Sequence, residues 1–168
     1  MVIKTNIIIA ENRWKKHSGI SKKIKSLLSE ITPYTPLANI DCKVEISILL
    51  TGDEQIQELN KNYRSKDKPT NVLSFPLLDG KKIKNGDFSK IQFAKNQILG
   101  DIAIAYQTVL RESQEQEKDF EHHLYHLVIH SLLHLIGFDH IKKSDAEIME
   151  ELEVKILKKL GIKNPYLS

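Results

Sequence analysis

Three histidines near the C-terminal end of the chain, His130, His134 and His140, have the type and spacing of a metal site. His130 and His134 are four residues apart, so on a helix they stack one turn above each other on one face. Their Cβ atoms then lie about 5–6 Å apart, within reach of one ion at about 2.0–2.1 Å from each ring nitrogen. Gly137 follows His134 by three residues. Glycine takes the left-handed conformation without a Cβ penalty, so it can end the helix and turn His140 back toward the same ion. Three imidazoles leave one tetrahedral position open, which marks a catalytic zinc site rather than a structural one. Such an ion lowers the pKa of a bound water toward about 7 and polarises a phosphoryl or carbonyl oxygen. The ligand set itself suits zinc, copper, nickel or iron.

Six of the seven histidines fall between positions 122 and 140. His122, His126, His130 and His134 form a four-residue ladder, but the ends of that ladder lie about 18 Å apart on a straight helix, too far for one ion. His126 therefore reads as a partner behind the ligands or as a core residue, and His122 and His123 as solvated. Asp139 either orients a ligand or caps the turn. The same spacing occurs in zinc peptidases of the H-E-x-x-H-x-x-G-x-x-H type, which use the glutamate as general base. Here that position is Ser131, a poor base, which counts against a peptidase without removing the metallopeptidase alternative.

The ligand-bearing segment needs a scaffold. Asp119 to Ile136 reads as a long apolar helix. Ahead of it, residues 2–10 and Cys42 to Leu50 read as strands, the second with Val44, Ile46 and Ile48 alternating against Lys43, Glu45 and Ser47. Asn71 to Leu77 and Ile98 to Tyr106 read as two more. Ser21 to Ile31 has apolar residues at helical spacing, and Thr108 to about Glu117 reads as a polar helix. Thr51 with Glu54, and Ser144 with Glu147, resemble capping boxes opening further helices. The first of these helices runs to about Tyr63 and buries Ile56 and Leu59. The last should bury Ile148, Met149, Leu152, Ile156, Leu157 and Leu160. Residues 79–97 carry Asp79-Gly80 and Asn85-Gly86 turn signals and read as a mobile loop with a hairpin. The fold class is α+β: a single small mixed β-sheet of about four strands packed with helices, the metal site on a long central helix in a zincin-like arrangement, and one domain over residues 1–168.

The chain has 168 residues, enough for one core without disulfides, and a single cysteine, Cys42, which reads as an inert core thiol. Hydrophobic residues make up 40% and charged residues 28%, which excludes a disordered chain. No stretch has the length of a membrane span, and the N-terminus lacks the pattern of a signal peptide, so a cytoplasmic protein is expected. The net charge of +3 suits a polyanionic partner but also many proteins without one.

Three blocks carry a family resemblance. His130-Ser131-Leu132-Leu133-His134-Leu135-Ile136-Gly137-Phe138-Asp139-His140 is similar to H-G-x-L-H-L-x-G-x-D-H, with Ser131 in place of glycine. Leu59 to Pro76 is similar to L-N-x-x-(Y/F)-R-x-x-D-x-P-T-(D/N)-V-L-S-F-P, and Leu99-Gly100-Asp101-Ile102 to L-G-D-I. In this order the blocks resemble the YbeY-type endoribonucleases. The resemblance implies a single-strand-specific, metal-dependent endoribonuclease of rRNA maturation and ribosome quality control. It implies one Zn2+ held by His130, His134 and His140, with Arg64 as a functional residue of the cleft. Its partners would be single-stranded RNA, rRNA and ribosome or small-subunit assembly components, with no membrane. A ribosome-assembly factor with a structural metal is the non-enzymatic alternative. Independently of the family, the planar guanidinium of Arg64 suits a phosphate, although an ion pair with Asp67 would explain it as well. Lys61, Lys66 and Lys68 could follow an RNA backbone or form a solvated face. Asp101 has no assigned role.

Overall fold

A computed structural model describes residues 2–167. Four strands form one sheet: β1 (Val2–Ile9), β2 (Lys43–Thr51), β3 (Val72–Pro76) and β4 (Asn96–Ala105), in the order β1-β2-β4-β3. β1, β2 and β4 run parallel, and β3 pairs antiparallel with β4 as an edge strand. The five α-helices are α1 (Ile20–Ile31), α2 (Asp53–Arg64), α3 (Tyr106–Glu115), α4 (Phe120–Leu135) and α5 (Lys143–Lys159).

The alternation in β2 sends Val44, Ile46, Ile48 and Leu50 into the main core, where they meet α1, α4 and α5 residues such as Leu28, Leu132 and Ile156. A smaller cluster of Ile56, Leu73, Ala103 and Ala105 ties α2 to β3 and β4. β4 places Leu99, Ile102 and Ile104 in the same core, a spacing that breaks strict alternation. A bulge explains it: Glu45 pairs with Ile98 and Ile46 with Gly100, so Leu99 is the extra residue. Gly100 has φ +147°, and a Cβ there would lie 2.3 Å from the Phe75 carbonyl oxygen of the adjacent strand. The glycine of the Leu99-Gly100-Asp101-Ile102 block thus allows β3 to approach.

α4 is apolar around most of its circumference, as a helix buried by its neighbours must be. Leu124, Val128, Ile129, Leu132 and Leu133 are fully buried. The half-buried His126, His130 and His134 form the stripe left between them. The helix begins at Asp119, whose carboxylate accepts from the His122 amide at 3.0 Å.

Several local expectations are corrected. Neither capping box forms: Thr51 is the last residue of β2, paired with Ala105, and Gly52 is the N-cap of α2. Lys142 is the N-cap of α5, again without a side-chain cap, and Ser144 lies inside the helix. Ile148 is 44% exposed, because α5 turns a different stripe inward: Met149, Glu153, Ile156 and Leu157. Cys42 precedes β2 and is only half-buried. Within 79–97 a Lys84–Asp87 bridge closes the Asn85-Gly86 turn, and Ile83 is buried against Gly137.

Candidate metal centre and cleft

The C-terminus of α4 turns by a Schellman motif. The Phe138 amide donates to the Leu133 carbonyl at 3.0 Å and the Gly137 amide to that of His134 at 3.1 Å. Gly137 has φ +93°, and a Cβ there would lie 2.2 Å from Ile83 Cγ2, so shape and conformation both demand glycine. The turn brings His140 back to the helix. Ring centroids are 4.5 Å apart for His130–His134, 4.9 Å for His134–His140 and 5.4 Å for His130–His140. One ligand nitrogen from each of the three lies within 4.8 Å of the other two.

The surroundings fix which nitrogen of each helical ligand faces the group. His130 Nδ1 lies 2.6 Å from Glu153 Oε1, and His134 Nδ1 lies 3.0 Å from the Phe138 carbonyl oxygen. An ionised carboxylate and a carbonyl can only accept, so each Nδ1 is the donor, and in the neutral ring Nε2 carries the lone pair. These two Nε2 atoms face each other across 3.0 Å. Two lone pairs at that distance repel, and a shared cation satisfies both. Two nitrogens bound tetrahedrally at about 2.0–2.1 Å stand about 3.3 Å apart, close to what is observed. Burial, reinforced by the neighbouring His130 and His140 rings, lowers the pKa of His134 from 6.5 to about 4, which keeps it neutral for ligation. These residues fit a divalent ion of the zinc class.

Glu153 is the residue that sequence reasoning missed. Its carboxylate is wholly buried and accepts from His130 Nδ1, from His126 Nε2 at 2.8 Å and from the Tyr166 hydroxyl. Burial opposes its charge, but the bonds from His126 and His130 outweigh burial and hold the carboxyl down to about 2. A signal existed: Glu153 lies four residues after Met149 and three before Ile156, on the apolar stripe of α5. His126, His130 and Glu153 also offer ligand atoms within 4.8 Å of one another. Both imidazole nitrogens there already face the carboxylate as donors, so the trio behaves as a hydrogen-bond network.

His126 lies one helical turn before His130, with its Nε2 on the same Glu153 carboxylate. Asp139 caps the turn, accepting from the His140 amide at 2.7 Å. His122 is exposed, as expected, but His123 is 4% exposed, and its Nε2 lies 2.9 Å from Glu112 Oε2. The expectation that His123 is solvated is therefore wrong: α3 packs against α4 there, and Glu112 also accepts from Asn71 Nδ2 at 3.0 Å. Burial opposes the charge of Glu112 as well, and the bonds from His123 and Asn71 still lower its pKa. Ser131, where the peptidase motif carries its glutamate, is fully buried and in no position to act as a base.

A cleft of about 980 Å³ opens over the histidines, with β3 and the end of α2 among its walls. Arg64 lines it together with Ser74, His130, His134 and His140. The guanidinium donates from Nη2 to the Ser74 carbonyl at 2.8 Å and from Nη1 to the Tyr63 carbonyl at 3.2 Å, and it lies 5.1 Å from the Phe75 ring centroid. The suggested pairing with Asp67 does not form; Asp67 lies 3.8 Å from Lys61 instead. Asp101 is exposed on β4, opposite Phe75 and Ser47. Lys61, Lys66 and Lys68 are all exposed.

Comparison with known proteins gives a consistent result. A family model described as Endoribonuclease YbeY matches residues 9–161. A protein of that name from Rhodopseudomonas palustris is 41% identical over 162 residues, covering 96% of this chain and 91% of the relative. One from a Bradyrhizobium species is 42% identical over 165 residues, with the same coverage of 96% and 91%. A solution structure of a Thermotoga maritima protein superposes with a TM-score of 0.56 at 25% identity, covering 94% of this chain and 92% of that one.

Proposed function

Since the chain belongs to the Endoribonuclease YbeY family, we propose that it is a metal-dependent endoribonuclease that hydrolyses phosphodiester bonds in single-stranded RNA, acting in rRNA maturation and ribosome quality control. The observation that supports the metal dependence is the 3.0 Å approach of the Nε2 atoms of His130 and His134, each ring having its Nδ1 turned to an acceptor. The cofactor of this reading is one Zn2+, with His130, His134 and His140 as its ligands.

His130, His134 and His140 would hold a divalent ion, which would supply Lewis acidity toward a phosphoryl oxygen or water. The chain's own residues do the rest. Glu153 and the Phe138 carbonyl hold the His130 and His134 rings with Nε2 toward the ion. Arg64 binds the scissile phosphate. Two of its N–H groups are spent on the Ser74 and Tyr63 carbonyls, which fixes the guanidinium plane, and the others can fork onto phosphate oxygens as charge develops. Lys66 and Lys68, exposed in the segment that follows α2, can contact an RNA backbone. The whole chain, residues 1–168, acts as one domain, in the cytoplasm, with rRNA and small-subunit assembly components as partners. In support, no helix among the described residues is long and apolar enough to cross a membrane.

Chelation tests the reading. Dialysis against a chelator should cut cleavage of a single-stranded RNA by at least about a hundredfold, and one equivalent of Zn2+ should restore it. Casein should remain intact throughout. Cleavage that persists in metal-free, folded protein would remove the metal from the mechanism.

A further inference from the structure

After α5 the chain turns at Gly161, which has φ +72°, and its last residues run back beside α4. Lys118 Nζ donates to the Pro165 carbonyl at 3.4 Å, and the Tyr166 amide donates to Asn164 Oδ1 at 2.9 Å. Tyr166 is 44% exposed as a whole, yet its hydroxyl reaches inward to the fully buried Glu153 and donates to Oε2. Its ring meets His126 edge-on, with centroids 5.6 Å apart.

A glutamate carboxylate rotates easily, because its last torsion is broad and roughly two-fold. Burial alone does not set which way an oxygen points. In this protein both oxygens are held. His126 Nε2 and the Tyr166 hydroxyl share Oε2, which leaves Oε1 aimed at His130 Nδ1. No other hydroxyl reaches that carboxylate among the described residues.

We propose that Tyr166 is a positioning residue of the metal centre: from the C-terminal segment its hydroxyl fixes the Glu153 carboxylate, and through it the His130 imidazole, in the orientation that ligation requires. The proposal rests on the three-histidine reading above. A purely structural role, stapling the chain end to α5, would lower thermal stability and leave metal affinity alone.

Tyr166→Phe keeps the ring and its edge contact and removes only the hydroxyl. The zinc Kd is measured by competition with a chromophoric chelator for wild type, Y166F, E153Q, the double variant and H130A, alongside the melting temperature of each metal-free protein. Y166F should weaken zinc binding by about 10–100-fold with little change in melting temperature. In the E153Q background the same change should add less than about twofold, because the carboxylate carries the effect. Imidazole nitrogen NMR of metal-free Y166F gives a readout that needs no folded E153Q: the His130 Nδ1 resonance should move, whereas that of His134 Nδ1, held by the Phe138 carbonyl, should not. A wild-type Kd in Y166F, an equal loss in the E153Q background, or an unmoved His130 resonance overturns the proposal. If wild type binds no zinc, or H130A binds it equally well, the three-histidine reading falls first and this proposal with it.

Discussion

His134→Ala should release the metal and reduce RNA cleavage by about a thousandfold or more while the protein stays folded. The size follows from the ion's share of transition-state stabilisation, several kcal/mol, at one decade of rate per about 1.4 kcal/mol. Folding should survive because the imidazole is a cost to the metal-free protein. Its Nε2 is crowded against that of His130 at 3.0 Å. The alanine removes that crowding together with the bond from Nδ1 to the Phe138 carbonyl, while the turn keeps its backbone bonds and Gly137. Metal content, melting temperature and single-turnover cleavage of the same preparation check this. Full activity with metal still bound at one equivalent would move the site elsewhere.

Arg64→Ala should separate binding of the ion from chemistry. The side chain lies over Phe75 on exposed structure and is not among the groups whose ligand atoms converge on one ion. Zinc content should therefore stay at the wild-type level while cleavage falls by about 10²–10³-fold, the usual cost of losing one preorganised charge-stabilising donor. Arg64→Lys should recover only a small part, because an ammonium cannot bond the Ser74 and Tyr63 carbonyls and also fork onto a phosphate. If the loss lies wholly in KM, with kcat unchanged, Arg64 contributes uniform RNA binding and not stabilisation of the transition state.

Much of this centre is legible in the sequence, because local geometry builds it. Four-residue spacing on a helix and a glycine three residues later suffice to predict that His130, His134 and His140 converge. The alternation of β2 and the apolar stripe of α1 are read correctly for the same reason. What fails depends on tertiary partners. Thr51 followed by Glu54 looks like a cap, but pairing with Ala105 draws Thr51 into the sheet. The α5 stripe is misread at two positions, because a rule that seeks apolar residues takes the exposed Ile148 and passes over the buried Glu153. Glu153 is tolerable inside only because donors from α4 and from Tyr166 meet it there, and their approach across 13 to 27 residues of sequence has no local signature. His123 is misjudged likewise, since Glu112 on the preceding helix is what makes its burial possible. The bulge at Leu99 is visible in retrospect as Leu99, Ile102 and Ile104 sharing one side of a strand.

Diffraction at the zinc absorption edge, from crystals of protein carrying one equivalent of Zn2+, addresses the central claim directly. A single anomalous peak should appear at about 2.0–2.1 Å from Nε2 of both His130 and His134 and from one ring nitrogen of His140, with its remaining side open to the cleft. A peak coordinated by Glu153 and His126, or none near the three rings, would contradict the account.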